Sequence, residues 1–405
     1  MLPGNNKKPL LIALLGAWII FGQAQEAINH QNPLWAFDYL IESWKKQQDA
    51  YTTRYRIEAD SAFINPQFRD YYGQALMTAY TLEGDIEGKD RAGHLFRDKK
   101  QKLTKPENLS PDIFATDAHS FLLEKAEEKQ AILINEAHLY PQHRLFMTSL
   151  LPGLYKLGYR HIFVEALDKD SIEIPSKTIG IYTSEPAFAH LTRQALALGF
   201  QLHPYDAPTT ANRDSAAVRN ILAKAKTFSS QDKWIVFCGF DHNNQQSRRS
   251  LAHYLKTLAN IDPMCVDQTI YSEPESLPHY QKLLDYYDIQ KPTILTDRQG
   301  EAVPLNNASN RDYFVISPRT TFLNGYPIWL TIHTACQWIK SPFTDYDTVE
   351  VYYQEEMEKT PHPIPFSVKR KNKDNEDLLL VPNDKPYRLI YYKHSGYKRE
   401  IIKSL

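Results

Sequence analysis

The sequence predicts an α/β protein: a mostly parallel, doubly wound sheet with an N-terminal helical region and a C-terminal mostly β appendage. Strand-length apolar runs alternate with helix-length segments between residues 117 and 267, which is typical of parallel strands joined by helices. Aromatic residues at helical spacing precede this stretch, and strand-like runs between Pro- and Asn-rich turns follow it. The predicted regions are an export signal (1–24), a helical region (25–110), an α/β domain (111–282) and a β-rich extension (283–405).

Composition limits the classes of partner. The chain has 405 residues, of which 42% are hydrophobic and 12% aromatic, as expected for a globular protein. Its formal net charge is −1. Binding to nucleic acid or to an anionic membrane needs a basic excess, so we expect no nucleic-acid partner. The three cysteines allow one disulfide at most, and their spacing is not that of a zinc site.

The first residues have the pattern of an export signal. Lys7 and Lys8 precede an apolar run over residues 9–21, and small residues follow, so we expect cleavage after Ala24. An uncleaved N-terminal anchor is the alternative. Nothing later in the chain is long and apolar enough to cross a membrane. We therefore expect a periplasmic or extracellular protein with no stable membrane insertion after cleavage.

The elements before the sheet follow from aromatic spacing and polarity. Residues 32–108 carry aromatic and apolar side chains at roughly helical intervals, which predicts core-facing helices without chemistry of their own. The polar, Lys-rich residues 84–110 predict a loop or linker. A helix over residues 117–129 is expected to lead into the sheet.

Residues 131–167 predict the central unit, a strand, a helix and a second strand. The first strand ends in Glu136 and His138, and the second ends in Glu165. We expect the two to be neighbouring parallel strands, whose carboxyl ends lie on one edge, where open parallel sheets bind ligands. His143 and Arg144 lie in the connection just beyond the first strand.

The alternation continues to residue 267. Acids or histidines follow the strand ends here too: Asp206, Asp241, His242 and Asp267. Predicted helices and strands are helix 187–198, strand 200–205, helix 212–228, strand 234–239, helix 247–258 and a short strand at 265–266. Beyond residue 283, strand-like runs and one helix over residues 328–339 predict the β-rich extension. Its strands could be separate from the main sheet or extend it.

Glu136, His138 and Glu165 are residues that can hold a water for activation or a metal ion. Arg144 could bind a substrate carboxylate or a developing oxyanion, and His242 could complete the pocket. The structural alternatives are a surface histidine and a helix-entry acid. Glu165 follows a buried run, so it needs a partner such as Arg144, His138 or a metal.

The other candidates have simpler explanations. His143 could face solvent. Asp206 could start a turn and pair with Arg213, and Asp241 could be an ordinary turn acid.

Four segments resemble a known superfamily. They are INEAHLYPQHR, FVEAL, NRDSAAVRN and CGFDHNN, within residues 130–269. They are similar to the superfamily that groups erythromycin esterases, TIKI and TraB/PrgY proteins, and ChaN-like haem-binding proteins. By this resemblance Glu136 and His138 match the first motif, Arg144 the arginine that follows it in the esterases, Glu165 the second acid, and His242 the late histidine. The chain departs from the family at Asn135, where the family has Gly.

The resemblance implies several functions. Erythromycin esterases are implied to activate water with the His and Glu pair, TIKI proteins to be metal-dependent proteases, and ChaN-like proteins to bind haem. We expect a hydrolase acting on a small-molecule or peptide substrate, in which His138 activates water. The alternative is a protein that holds haem or a divalent metal without turnover, with Tyr140 and Tyr205 as haem ligands. A third hypothesis is a surface or envelope protein that has the fold of the superfamily but no catalytic activity.

Overall fold

A computed structural model of the chain describes residues 28–96, 109–170, 172–208, 212–273, 278–304, 310–371, 377–393 and 398–403. The predicted export signal, residues 1–24, lies outside these ranges, and its cleavage stays a prediction. Within the described ranges, no helix combines the length and the apolar character needed to cross a lipid bilayer.

Four helices form the first part of the described chain. They are α1 (Trp35–Lys45), α2 (Ala50–Ala59), α3 (Arg69–Glu83) and α4 (Ile86–Phe96). The aromatic stripe of α3 is buried: Tyr72, Leu76 and Tyr80 lie in one apolar cluster with residues of α1, α2 and α4. Burial of such a stripe is what the helical spacing predicted.

Helix α4 corrects the prediction of a loop over residues 84–110. Gly84 ends α3 with a φ of 88°, a conformation that glycine adopts without strain. The side chain of Asp85 then accepts a hydrogen bond from the backbone N–H of Gly88 at 2.8 Å, so a new helix starts at once. Ile86 and Ala92 are buried, and this apolar face was hidden by the many polar residues around it.

Strands and helices then alternate, as the apolar runs predicted. In chain order these elements are β1 (Phe114–Asp117), α5 (Ala118–Ala126), β2 (Ala131–Glu136), α6 (Pro141–Lys156), β3 (Tyr159–Val164), α7 (Pro186–Leu198), β4 (Gln201–Pro204), α8 (Arg213–Ala225), β5 (Lys233–Gly239), α9 (Leu251–Ala259), β6 (Met264–Asp267), α10 (Pro278–Tyr286), β7 (Thr293–Thr296) and β8 (Tyr313–Phe314). Six of the strands form one parallel sheet in the order β4-β3-β5-β2-β6-β8.

The strand order corrects one expectation about the central unit. Strands β2 and β3 are parallel but not neighbours, because β5 lies between them and pairs with both. Residues 234–239 of β5 are all buried, as a strand paired on both sides and covered on both faces should be. The late segment of the chain therefore enters the middle of the sheet.

Helices cover both faces of this sheet, which is the predicted doubly wound arrangement. Residues of α5, α6 and α7 pack around Ile132, Ile134 and Ile162 on one face. Residues of α8 and α9 pack around Leu133 and Val236 on the other. Neighbouring residues of a strand point to opposite faces, so the continuous apolar runs serve both cores.

Antiparallel strands dominate the last part of the described chain. The elements here are β9 (Phe322–Leu323), β10 (Tyr326–Pro327), α11 (Ile328–His333), β11 (Cys336–Lys340), β12 (Thr348–Tyr353), α12 (Gln354–Lys359), β13 (Ser367–Arg370), β14 (Leu378–Pro382), β15 (Tyr387–Tyr392) and β16 (Lys398–Lys403). Strands β13-β12-β15-β16 form one sheet, β11 pairs with β14, and β9 pairs with β10.

The last part of the described chain differs from the prediction in the length of one helix. The helix expected over residues 328–339 ends at His333, and β11 follows, with Trp338 paired opposite Leu380. A partner strand decided between helix and strand for this short apolar run, as local spacing alone cannot. The division predicted at residue 283 stays a prediction, while the main sheet takes β8 from beyond it.

Candidate active site

The register of three strands brings their ends to one level. Glu136 is paired with Gly239, and Val164 with Phe237, so Glu165 follows beside the end of β5. A Cβ atom added to Gly239 would lie 3.2 Å from His138 Nε2 and 3.3 Å from Glu165 Oε2. Glu136, His138 and Glu165 thus meet around a residue that has no side chain.

His138 is held by Glu136 in one tautomer. Its Nδ1 lies 2.8 Å from Glu136 Oε1. Burial by itself would raise the pKa of Glu136, but the charge of Arg144 and the hydrogen bonds from His138 and Arg144 lower it to about 2. An ionised carboxylate can only accept, so Nδ1 carries a proton and Nε2 is the nitrogen left to face water.

Tyr182 covers the ring of His138 from one side. The two rings are stacked with centroids 4.3 Å apart. The loop that delivers Tyr182 turns at Gly180, whose φ is 154° and where an added Cβ would lie 1.9 Å from the carbonyl oxygen of Ala166. Only glycine fits this approach. His138 keeps about a quarter of its side chain exposed (25%), so the stack positions the ring without closing it off.

Arg144 lies behind Glu136 and not in the cleft, which corrects the role predicted for it. Its side chain is completely buried. It donates to both oxygens of Glu136, at 2.6 and 3.2 Å, to Glu185 Oε2 at 2.8 Å, and to the backbone carbonyl of His138 at 2.8 Å. A guanidinium engaged in this way cannot contact a substrate oxygen, so Arg144 is a positioning residue.

Glu185 joins Arg144 to the start of α7. It accepts hydrogen bonds from the backbone N–H groups of Ala187 at 2.7 Å and Phe188 at 2.9 Å, and so caps the helix. Burial raises the pKa of Glu185, and Arg144 offsets this only in part. The Glu-Pro sequence before α7 indicates a helix start. Nothing in it indicates the pairing with Arg144, so Glu185 was not among the predicted site residues.

Glu165 has a different partner from those expected. Neither Arg144 nor His138 pairs with it. Its Oε1 accepts from Arg213 Nη2 at 2.5 Å, and its Oε2 accepts from the backbone N–H of Gly239 at 2.6 Å. Arg213 also binds Asp206 through two hydrogen bonds, at 2.7 and 2.6 Å, which the sequence analysis had considered. Arg213 therefore fixes the position of Glu165 at the edge of the sheet.

His242 stands on the other side of Glu165. It lies in a short 3-10 turn after β5, and its Nε2 is 3.7 Å from Glu165 Oε1. Its Nδ1 is 2.8 Å from Asp214 Oδ2, in the first turn of α8. Burial would lower the pKa of His242, but the hydrogen bond to Asp214 and the charge of Glu165 raise it. Asp214 was not among the predicted site residues, although it follows Arg213 directly.

His143 and Asn135 support the local backbone. His143 is buried, not solvent-facing, and its Nδ1 accepts a hydrogen bond from the backbone N–H of Ala137 at 3.1 Å. Burial lowers the pKa of His143 to about 3. Asn135, where the resembled family has Gly, donates to the carbonyl of Phe240 at 2.6 Å and to Asp267 at 2.8 Å. The asparagine thus ties the end of β2 to the turn after β5 and to the end of β6.

The remaining strand-end acids have structural roles. Asp267 accepts from the backbone N–H groups of Thr269 and Ile270 and starts the turn after β6. Asp241 is largely exposed, at 84% of its side chain, and pairs with Arg311. Asp206 begins a turn as well as binding Arg213.

Neither tyrosine considered as a haem ligand is exposed, and the described donors do not form a metal site. The two tyrosines considered as haem ligands are buried, Tyr140 at 7% and Tyr205 at 3% exposure. Across the described part of the chain, no group of three or more His, Cys, Asp or Glu side chains has an arrangement that would hold a metal ion. Between Glu165 and Asp206 the guanidinium of Arg213 takes the position that a cation would need.

A separate cavity of about 800 Å³ lies outside this site. Its walls come from α6, α10 and α11 and include Phe146, Leu284, Trp329 and Ile332. None of the five predicted site residues lines it.

Comparison with known proteins adds little to this geometry. No protein-family model matches the sequence, and no curated protein matches it. Among solved structures, bacterial protein toxins are similar over 52% of this chain and 48% of theirs, at 17% identity and a TM-score of 0.29. RRSP, a MARTX toxin effector domain from Vibrio vulnificus CMCP6, is similar over 51% of this chain and 46% of its own, at 18% identity and a TM-score of 0.28. The type III effector HopBA1 is similar over 52% of this chain and 99% of its own, at 12% identity and a TM-score of 0.31. This chain therefore spans less than half the length of the first toxin structures, and TM-scores this low say nothing of what it does.

Proposed function

We propose that the protein is an exported hydrolase in which His138 activates water for attack on an ester or amide. The observation that carries the proposal is the His138–Glu136 pair, which leaves Nε2 as a partly exposed proton acceptor beside Glu165. A neutral imidazole oriented by a carboxylate is a general base suited to neutral pH. The resemblance to the erythromycin esterase and TIKI superfamily agrees with this proposal.

The carboxylates divide the work. Glu136, held ionised by Arg144, orients His138 and stabilises the imidazolium that forms when the ring takes a proton. Arg213 binds Oε1 of Glu165 on the side of His242, and the N–H of Gly239 binds Oε2 on the side of His138. In this position it orients the attacking water between His138 and His242.

Ligand storage without turnover has less support. The tyrosines considered as haem ligands, Tyr140 and Tyr205, are buried, and the partly exposed histidine, His138, is held by Glu136 beside Glu165. A metal needs acids that are free to coordinate, whereas Arg144 and Arg213 already bind the nearby carboxylates. Both observations favour metal-free acid and base chemistry.

The test is His138→Ala in a screen of esters and peptides. General base catalysis contributes about 10²–10⁴-fold, so turnover should fall at least a hundredfold while circular dichroism and the unfolding midpoint stay those of wild type. His253→Ala, a partly buried histidine of α9 outside the site, is the matched control and should keep full turnover. Wild-type rates in His138→Ala would refute the proposal.

A further inference from the structure

His242 is set between two carboxylates. Asp214 of α8 holds its Nδ1 at 2.8 Å, and Glu165 after β3 faces its Nε2 at 3.7 Å. Arg213, the neighbouring cation on α8, is bound to Glu165 and Asp206. Asp241, beside His242 in the chain, is turned to Arg311. In the described part of the chain, both groups paired with the imidazole are acids and favour an imidazolium, whereas the nearby charge of Arg213 opposes it.

The simplest structural explanation of Asp214 is that acids suit the first turn of a helix. Asp70 has the same position in α3, and it is exposed to solvent. Asp214 differs because its side chain is only 10% exposed and is hydrogen-bonded to His242. The consecutive residues Arg213 and Asp214 hold Glu165 and His242, respectively, so the start of α8 fixes half of the cleft.

We propose that Asp214 is a positioning residue that orients His242 and favours its imidazolium form, so that His242 donates a proton to the leaving group while His138 accepts one from water. The inference rests on the proposed function and extends it. The two histidines have the same design, with Nδ1 on a carboxylate and Nε2 toward the cleft. They differ in what Nε2 meets, since only that of His242 is paired with a second carboxylate.

The proposed hydrolysis is balanced in protons and in bonds. Water loses a proton to His138 Nε2, its oxygen bonds to the carbonyl carbon, and the carbonyl π pair moves to oxygen. When that pair returns, the bond to the leaving group breaks, and the leaving oxygen or nitrogen takes the proton of His242 Nε2. One ring gains a proton and the other loses one, so a single proton transfer through solvent restores both.

Leaving-group dependence tests the assignment in the full chain. A nitrophenolate leaves without a proton, whereas an alkoxide or amine needs one. Asp214→Asn should therefore lower kcat about ten times more on an ethyl ester than on the 4-nitrophenyl ester of the same acid. KM should change little on either ester. Asp214→Glu, which keeps the carboxylate, should recover part of the loss, and Asp70→Asn should match wild type. Equal losses on both esters would overturn the proton-donor role.

A second readout does not depend on turnover. The pKa of His242, followed by NMR through its Cε1–H signal, should lie above the ordinary 6.5 in wild type and fall in Asp214→Asn. An unaltered His242 titration would overturn the inference even if activity falls. If His138→Ala stays active while the titration behaves as stated, the proposed function and the proton-donor step fail together and only the positioning of His242 by Asp214 stands.

Discussion

Gly239 is the residue on which the geometry of the site depends most closely. Its φ is −79°, which any residue can adopt, so space and not backbone conformation requires glycine here. A Cβ atom would lie 3.1 Å from His138 Cε1 and 3.3 Å from Glu165 Oε2. Both side chains are held by hydrogen bonds and cannot move aside without losing them.

Gly239→Ala should therefore reduce turnover much more than stability. The added Cβ requires its neighbours to move by a few tenths of an ångström. Because a displacement of about 1 Å at a reacting group can cost about a hundredfold in rate, we expect kcat to fall by roughly three- to tenfold and the unfolding midpoint to stay close to wild type. Gly93→Ala is the control, because its Cβ would meet only Met77 Sδ at 3.5 Å. Full activity in Gly239→Ala would show that His138 and Glu165 need not keep this spacing.

The sequence predicted which side chains meet at the sheet edge but not their partners. Glu136, His138, Glu165 and His242 were selected because acids and histidines follow strand ends, and strand ends of a parallel sheet share an edge. Their role in a reaction stays a prediction. The contacts of Arg144 and Glu185 were not found, because they join α6 to α7 over a distance that no local pattern records. Arg213 was linked to Asp206 but not to Glu165 for the same reason.

At the scale of elements, the start of α6 holds the end of β2 and the residues after it in position. Consecutive residues His143 and Arg144 hold the backbone of Ala137 and the side chain of Glu136 from behind. Within the described residues, Arg144 is the cation that contacts both Glu136 and Glu185. Its removal leaves two buried carboxylates without their shared guanidinium.

Arg144→Met should accordingly destabilise the fold as well as the site. Breaking a buried ion pair by removing one partner costs about 3–5 kcal/mol. Urea unfolding should show a loss of that size in the free energy of unfolding. Arg298→Met serves as the control, because that side chain is 71% exposed and its pair with Asp112 lies at the surface. If both variants unfold at the same urea concentration, Arg144 is not the support described.

Element types were easier to predict than their arrangement. Helix α7 ends at Leu198, as predicted, and β4, β5 and β6 lie where apolar runs were followed by acids. The insertion of β5 between β2 and β3 was not foreseen, since strand order is decided by packing of whole strands and not by periodicity. The same limit explains β11, which became a strand because β14 pairs with it.

At the scale of the whole molecule, buried histidines make stability depend on acid pH. Burial lowers the pKa of His143 and of His190 to about 3, from an ordinary 6.5. Below pH 6.5 the unfolded chain takes up protons that the folded chain does not, so stability falls as pH falls, until about pH 3. Glu136, with its pKa lowered to about 2 from 4.5, adds a loss in the same direction at still lower pH.

We expect the free energy of unfolding to decline between pH 6.5 and pH 4.5 by roughly 1.4 kcal/mol per pH unit for each of the two histidines. Urea titrations at several pH values measure this slope. His190→Gln can still donate to the carbonyl of Phe366, which His190 Nε2 meets at 2.8 Å, and should flatten the decline. A free energy of unfolding that is constant over this range would contradict the expectation.

The central place of β5 also bears on how the protein is made. A ribosome releases β2, α6 and β3 long before Gly239, yet β2 and β3 do not pair with each other in the finished sheet. A gap must stay open, or reopen, until β5 arrives, and contacts so distant in sequence form slowly. The nascent chain therefore carries Glu136 and His138 apart from Glu165 and His242, and the candidate site can form only after synthesis has passed β5.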